Sequence, residues 1–141
     1  MTLTKRHKAF FEAARAVSRL SDFPRNKLGC VAVYKHRIIS SGCNQTKTHP
    51  LQKRMNKCRF DADTTHSIHA EISCLSQLIG RKDIDFKDMS LYIYRSHANG
   101  SAALSKPCAG CMALIRELGI RNIYYTGECS YVHEELQYKI N

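Results

Sequence analysis

Apolar positions along the chain recur with two different periods. Over residues 4–20, Phe10, Ala13, Ala14, Val17 and Leu20 return at mostly three- and four-residue steps, with Lys5, Lys8, Glu12, Arg15 and Arg19 between them. That spacing predicts an amphipathic first helix, broken by Asp22 and Pro24. Residues 28–34 and 37–41, rich in Val, Ile and small side chains, predict two strands joined tightly at Lys35-His36. Residues 68–79 return to the helical period through Ile68, Ile72, Leu75, Leu78 and Ile79, with Gly80 as the stop. A buried strand follows over 89–95, then a helix over 108–118 between Pro107 and Gly119, then a strand over 121–126. In the tail, Gly127-Glu128 can turn the chain into an antiparallel strand near 130–133, the preferred reading over a helix at 134–139. The stretch 42–67, with Asn44, Pro50 and several turn formers, predicts a long irregular loop, which in a compact domain is usually functional or mobile. The order helix, strand pair, helix, strand, helix, strand predicts an α/β domain of three layers, α/β/α, around a mixed five-stranded sheet.

Composition bounds this picture. With 141 residues, 43% of them hydrophobic, the chain can build one real core, so residues 1–141 are expected to form a single domain. No apolar run reaches the roughly 18 residues of a membrane span, and the basic, polar first ten residues are not followed by an apolar signal segment. A soluble, cytoplasmic protein with no membrane partner is expected. Seven cysteines without a secretion signal point to a reducing compartment and to thiols or metal ligands rather than disulfides. The net charge of +10 is uneven: residues 1–66 carry 14 basic and 4 acidic side chains, residues 67–141 carry 8 of each. Lys47, Lys53, Arg54, Lys57 and Arg59 form a run with no acid before Asp61, ahead of the second helix, and this run is expected to face a phosphate-bearing substrate.

Two short motifs carry the candidate chemistry. His69-Ala70-Glu71 and Pro107-Cys108-Ala109-Gly110-Cys111 each open a predicted helix. One histidine and two cysteines suit Zn²⁺, and three protein ligands leave a fourth tetrahedral position open for water, the mark of a catalytic ion. Cysteines three apart at a helix start share a face, where unpaired N–H groups favour the thiolate. Glu71 stands close to such a site without having to be a ligand.

These motifs form the H-x-E…P-C-x-x-C signature of zinc-dependent nucleobase deaminases, and the chain resembles the cytidine deaminase superfamily, its cytidine and deoxycytidylate branches in particular. The strand pair, the Gly42-Cys43-Asn44 segment, both motif helices and Asn122-Ile123-Tyr124-Tyr125 follow the family order. The resemblance implies a cytidine deaminase-like fold and one catalytic zinc held by His69, Cys108 and Cys111. It also implies hydrolytic deamination of cytosine to uracil by zinc-bound hydroxide, with Glu71 as general acid and base shuttling the proton. The Ala70 N–H would bind the carbonyl oxygen of the base, and Asn44 would contact the sugar, although Asn44 also reads as a turn former after Gly42. Many relatives place a small hydroxyl residue directly before Pro-Cys. Here Lys106 intervenes after Ser105, so a backbone carbonyl still faces the amine while the lysine brings positive charge to the pocket mouth.

The implied substrate is a pyrimidine nucleotide or nucleoside such as dCMP or cytidine. The positive charge supports an alternative, cytosine in single-stranded DNA or RNA. Purine deamination and a non-enzymatic zinc-stabilised nucleic-acid-binding module are weaker alternatives, the latter opposed by Glu71. Relatives commonly assemble as homo-oligomers. Cys30 and Cys74 occupy core positions; a second zinc using Cys43, His49, Cys58 or His66 lacks clean ligand spacing. Phe60 and Tyr94 are the aromatics that could stack on a base, Tyr94 being better suited to the sheet.

Overall fold

The computed structural model of the chain describes residues 1–58 and 67–138. Helix α1, Lys5–Ser18, begins at a reciprocal cap: the His7 N–H donates to Thr4 Oγ1 (3.1 Å) and the Thr4 N–H to His7 Nδ1 (3.3 Å). It stops two residues short of the predicted end. The N–H groups of Arg19, Leu20 and Ser21 bond to carbonyls three residues back, which tightens the chain and leaves Leu20 in solvent. Strands β1 (Lys27–Tyr34) and β2 (Arg37–Cys43) form the expected hairpin, turned by Lys35 and His36 with φ of 49° and 66°. Both sit in the left-handed region that favours Asn-Gly pairs.

The stretch expected to be an irregular loop carries structure of its own. Strand β3 (Gln45–Thr48) leads into helix α2 (Pro50–Met55), followed by a 3₁₀ turn at Asn56–Cys58 and strand β4 (Ser67–Ile68), which pairs antiparallel with β3. His49 caps α2 by accepting from the Leu51 N–H, and Pro50 sits at the first helical position, where its missing N–H costs nothing. Six residues are too few to reveal a helical period, which is why the sequence reads there as turn formers. Arg59, Phe60 and His66 lie outside the described residues.

Helix α3, Ala70–Ser76, is shorter than the predicted 68–79, because Ile68 is claimed by β4 and the chain leaves the helix in turns before Gly80. Strand β5 (Met89–Ser96), the short β6 (Ala102–Ala103), helix α4 (Ala109–Leu118) and strands β7 (Asn122–Gly127) and β8 (Ser130–Glu135) complete the order. The tail does form the expected antiparallel strand, two residues longer than predicted.

The main sheet runs β2-β1-β5-β7-β8, with β6 added alongside the end of β5, so the five expected strands are joined by a sixth. It is mixed: β5 and β7 are parallel, bridged by α4, and the other pairs are antiparallel. Alternation along β1 and β5 divides the core. Cys30, Ala32, Leu91 and Ile93 pack with Ile72, Leu75, Leu114 and Ile115 of α3 and α4, whereas Val31, Val33, Tyr92 and Tyr94 pack with Phe11 and Ala14 of α1. These are the three layers. One close approach seats α3: a Cβ on Gly42 in β2 would stand 2.5 Å from the Cys74 nitrogen, so the helix lies backbone-to-backbone on the sheet. Ser40 Oγ donates to the Cys74 carbonyl at 2.8 Å and Gln77 Nε2 to the Ser41 carbonyl at 2.8 Å, locking that contact. No helix among the described residues is long and apolar enough to cross a membrane.

Candidate metal centre and substrate cavity

The two motif helices point their first turns at each other. His69 is the N-cap of α3, Cys108 the N-cap of α4, and Cys111 lies in the first turn of α4. Both cap side chains face the space between the helices, where His69 Nδ1 reaches the two cysteine sulfurs and Cys108 Sγ takes a hydrogen bond from Cys111. His69 Nδ1 stands 3.3 Å from Cys111 Sγ and 3.6 Å from Cys108 Sγ, and all three donor atoms lie within 4.8 Å of one another. On a tetrahedral zinc with bonds of about 2.0 Å to nitrogen and 2.3 Å to sulfur, such donors stand roughly 3.5 Å apart. The spacing fits the ion. Among the described residues this is the one group of three donors that can hold a metal. Cys43 is buried in β2 and His49 is occupied as the α2 cap, so neither joins a second cluster among those residues.

The thiols are tuned unequally. The hydrogen bond from Cys111, together with His69, holds the Cys108 thiol down to about 3 despite its burial. Cys111 is pushed well up by its bond to Cys108 and by burial. Cys30 is also raised, first by burial and then by its bond to Cys74, as befits a core thiol.

Glu71, the second residue of α3, is 3% exposed, and its Oε1 has no hydrogen-bond partner among the described residues. Burial pushes its carboxyl up, opposed by the nearby charge of His69. An orphaned buried carboxylate oxygen beside a metal-ligand set is costly in the folded chain unless a ligand or water answers it.

A cavity of about 320 Å³ opens over these groups, lined by His69, Ala70, Glu71 and Cys108 at one part and by Phe23, Asn26, Leu28, Asn44, Arg95 and the segment Leu104 to Lys106 elsewhere. All four residues expected to touch substrate line it, in different states of engagement. Ala70 opens α3, where the first backbone N–H groups have no intrahelical acceptor. Asn44 is buried and spans the start of β1: its Oδ1 accepts from the Leu28 N–H (2.9 Å) and its Nδ2 donates to the Asn26 carbonyl (2.8 Å). One amide proton remains for a ligand. The Ser105 hydroxyl is committed to the sheet, donating to the Ile93 carbonyl (3.0 Å) and accepting from the Thr126 N–H (2.8 Å). Lys106 is exposed, with its ammonium 3.8 Å from Glu134.

Three features of the site escaped the sequence reading. Gln52 of α2 is fully buried, accepting from the His69 N–H at 2.9 Å and donating to Asn56 Oδ1 at 2.8 Å, so the supposed loop orients the His69 cap of the candidate metal centre. The tip of α2 also abuts α4, where a Cβ on Gly110 would stand 2.9 Å from the Met55 carbonyl oxygen. Second, the described charges of that stretch do not line the cavity. Lys53 and Arg54 border surface hollows around His49 and Pro50, Arg54 pairs with Glu117 at 3.6 Å, and Lys47 and Lys57 are solvent-exposed. Third, Arg95 and Phe23 do line it. Tyr94 is buried on the α1 face of the sheet, with alternation along β5 turning it away from the cavity. The Pro50 start signal could have exposed α2; nothing local marks Arg95.

The sequence pattern of the cytidine and deoxycytidylate deaminase zinc-binding region matches residues 4–127, and the chain belongs to that family, whose members bind zinc. It is 26% identical over 125 residues to the deoxycytidylate deaminase of Schizosaccharomyces pombe, a match over 82% of this chain and 35% of the relative, so the chain spans about a third of that protein's length. Among solved structures, its fold is similar to the cytidine deaminase of Burkholderia pseudomallei (TM-score 0.65, 18% identity, 96% of this chain and 93% of that one). It is also similar to the dCMP deaminase of cyanophage S-TIM5 (TM-score 0.63, 20% identity, 89% and 84%), which has also been solved in complex with dCMP and dUMP.

Proposed function

We propose that the chain hydrolyses the exocyclic amine of cytosine in a pyrimidine nucleotide or nucleoside, giving uracil and ammonia. The observation that carries this reading is the buried Glu71 carboxylate with an unanswered oxygen, in the same cavity as His69 and Cys108. His69, Cys108 and Cys111 would hold one zinc ion, whose Lewis acidity lowers the pKa of water toward neutrality. Glu71 accepts the proton of the attacking water and delivers it to the ring nitrogen beside the reacting carbon. It then takes the second proton of that water, from the hydroxyl now bonded to carbon, to the amino nitrogen, so that ammonia leaves as the carbonyl forms. The Ala70 N–H binds the carbonyl oxygen of the base, and the remaining amide proton of Asn44 is available to a sugar hydroxyl. Gln52 holds the His69 backbone, which would keep the imidazole aimed at the metal position. The deaminases named above support the substrate class, as does a cavity of about 320 Å³, within the size range of small-molecule sites.

Ammonia release by the zinc-loaded chain from cytidine and dCMP tests the reading. Glu71→Gln is expected to keep one zinc per chain and lose at least 1000-fold in turnover, of the order that general acid–base catalysis supplies. Cys108→Ser is expected to lose zinc. Turnover surviving in Glu71→Gln, or full zinc content in Cys108→Ser, refutes it.

A further inference from the structure

Arg95, next to the end of β5, faces the cavity in an unusual condition. Its backbone is fixed, paired to Leu28 of β1 and Ala103 of β6, with its N–H donating to Thr126 Oγ1 at 3.2 Å. Its guanidinium is steered by two neutral acceptors: Nη2 donates to Asn26 Oδ1 at 2.5 Å and Nη1 to the Leu104 carbonyl at 3.3 Å. The Nε is buried and has no acceptor among the described residues, and no carboxylate pairs with the guanidinium there. Glu128, the acid that senses its charge, is bonded to His97. A half-buried cation oriented by neutral groups, with donors left over, is short of an anion.

Lys106 is the other basic residue among those lining the cavity. We infer that Arg95, assisted by Lys106, binds the phosphate of a pyrimidine nucleoside 5′-monophosphate, so that the substrate is the nucleotide and not the free nucleoside. This rests on the deamination reading above. A pre-set guanidinium fork matches phosphate oxygens two at a time, and a neighbouring ammonium completes the neutralisation of one dianion. A polynucleotide would instead require a track of cations along its backbone. The described charges of residues 47–57 do not continue from this cavity, being exposed or gathered around His49, Pro50 and Glu117.

The zinc-loaded full chain is assayed with dCMP, deoxycytidine and a short cytosine-containing single strand. The expected result is a kcat/KM for dCMP roughly 100-fold above that for deoxycytidine, mostly through KM, with the single strand the poorest substrate. Arg95→Gln should lower the dCMP-to-deoxycytidine ratio about 30-fold, and Arg95→Lys about fivefold, because the charge stays and the fork is lost. Asn26→Gly, at a position whose φ of 55° suits glycine, removes the anchor and should also lower the ratio about fivefold even if Arg95→Gln fails to fold. An unchanged ratio in these variants, no preference for dCMP, or preference for the single strand overturns the inference. If ammonia is released from no substrate, the deamination reading fails, and calorimetry still tests Arg95: dUMP should bind at least 30-fold more tightly than deoxyuridine, an advantage lost in Arg95→Gln. Equal affinities overturn it.

Discussion

Replacing Gly42 by alanine is expected to damage the metal centre without touching a ligand. The new methyl would stand 2.5 Å from the Cys74 nitrogen, 2.7 Å from Ser73 Cβ and 2.8 Å from the Ser73 carbonyl carbon. Ordinary contact requires close to 3.5 Å, so α3 must retreat by about 1 Å, and two of the three atoms in the way are helix backbone that cannot rotate aside. That retreat stretches the 2.8 Å bonds from Ser40 to Cys74 and from Gln77 to Ser41 beyond hydrogen-bond range. Overpacking of about 1–3 kcal/mol and bonds of about 1 kcal/mol each, partly overlapping, give a loss of roughly 2–4 kcal/mol in unfolding free energy. Metal sites tolerate about 0.2 Å of error in ligand distance, and α3 carries His69 away from both cysteines, so zinc affinity should fall at least about tenfold. Urea unfolding of the metal-free chain measures the first effect and competition with a chromophoric chelator the second. Ser41→Ala, next in sequence and exposed, is the control and should stay within about 0.5 kcal/mol. A Gly42→Ala protein with wild-type urea midpoint and zinc affinity would show that the sheet does not hold α3 in place.

Three further outcomes are expected. Gln52→Ala strips the acceptor from the His69 N–H and should cost about 1–3 kcal/mol in urea unfolding, with weaker zinc binding measured in the same competition; wild-type values in both would remove Gln52 from the site. Lys35-His36→Asn-Gly places residues that favour the left-handed region in the β1–β2 turn and should raise stability by about 1 kcal/mol, read as a higher melting temperature. The Asp22 carboxylate accepts from Thr46 Oγ1 (2.7 Å) and the Thr46 N–H (2.9 Å), which holds it below the usual aspartate range. A depressed carboxylate stabilises the fold above its unfolded pKa and loses that contribution as pH falls through the folded value, so Thr46→Val should move the Asp22 titration seen by NMR upward.

The first two helices show how far local pattern reaches. Residues 5–18 carry enough turns for the helical period to stand out, and the predicted α1 misses only at the ends, where capping and 3₁₀ contacts decide. Helix α2 has six residues and no room for a period, so Pro50 and Asn56 look like turn formers, yet it supplies Gln52 to the His69 cap. The same contrast holds for charge. The run from Lys47 to Arg59 is conspicuous in sequence, but its described members point away from the cavity, while the isolated Arg95 lies in it because β5 ends there.

Sequence alone determined the donor chemistry and the order of elements. His69, Glu71, Cys108 and Cys111 are set by residue type and short spacing at two helix starts, and those quantities are local. Tertiary structure decided what surrounds them: the 3.3–3.6 Å approach of the imidazole to two thiols, the burial of Glu71, Asn44 spanning the start of β1, and Asn26 and Leu104 steering Arg95. These contacts join residues up to 69 positions apart, and their geometry depends on sheet register and on how closely glycines let helices approach, which no local period encodes.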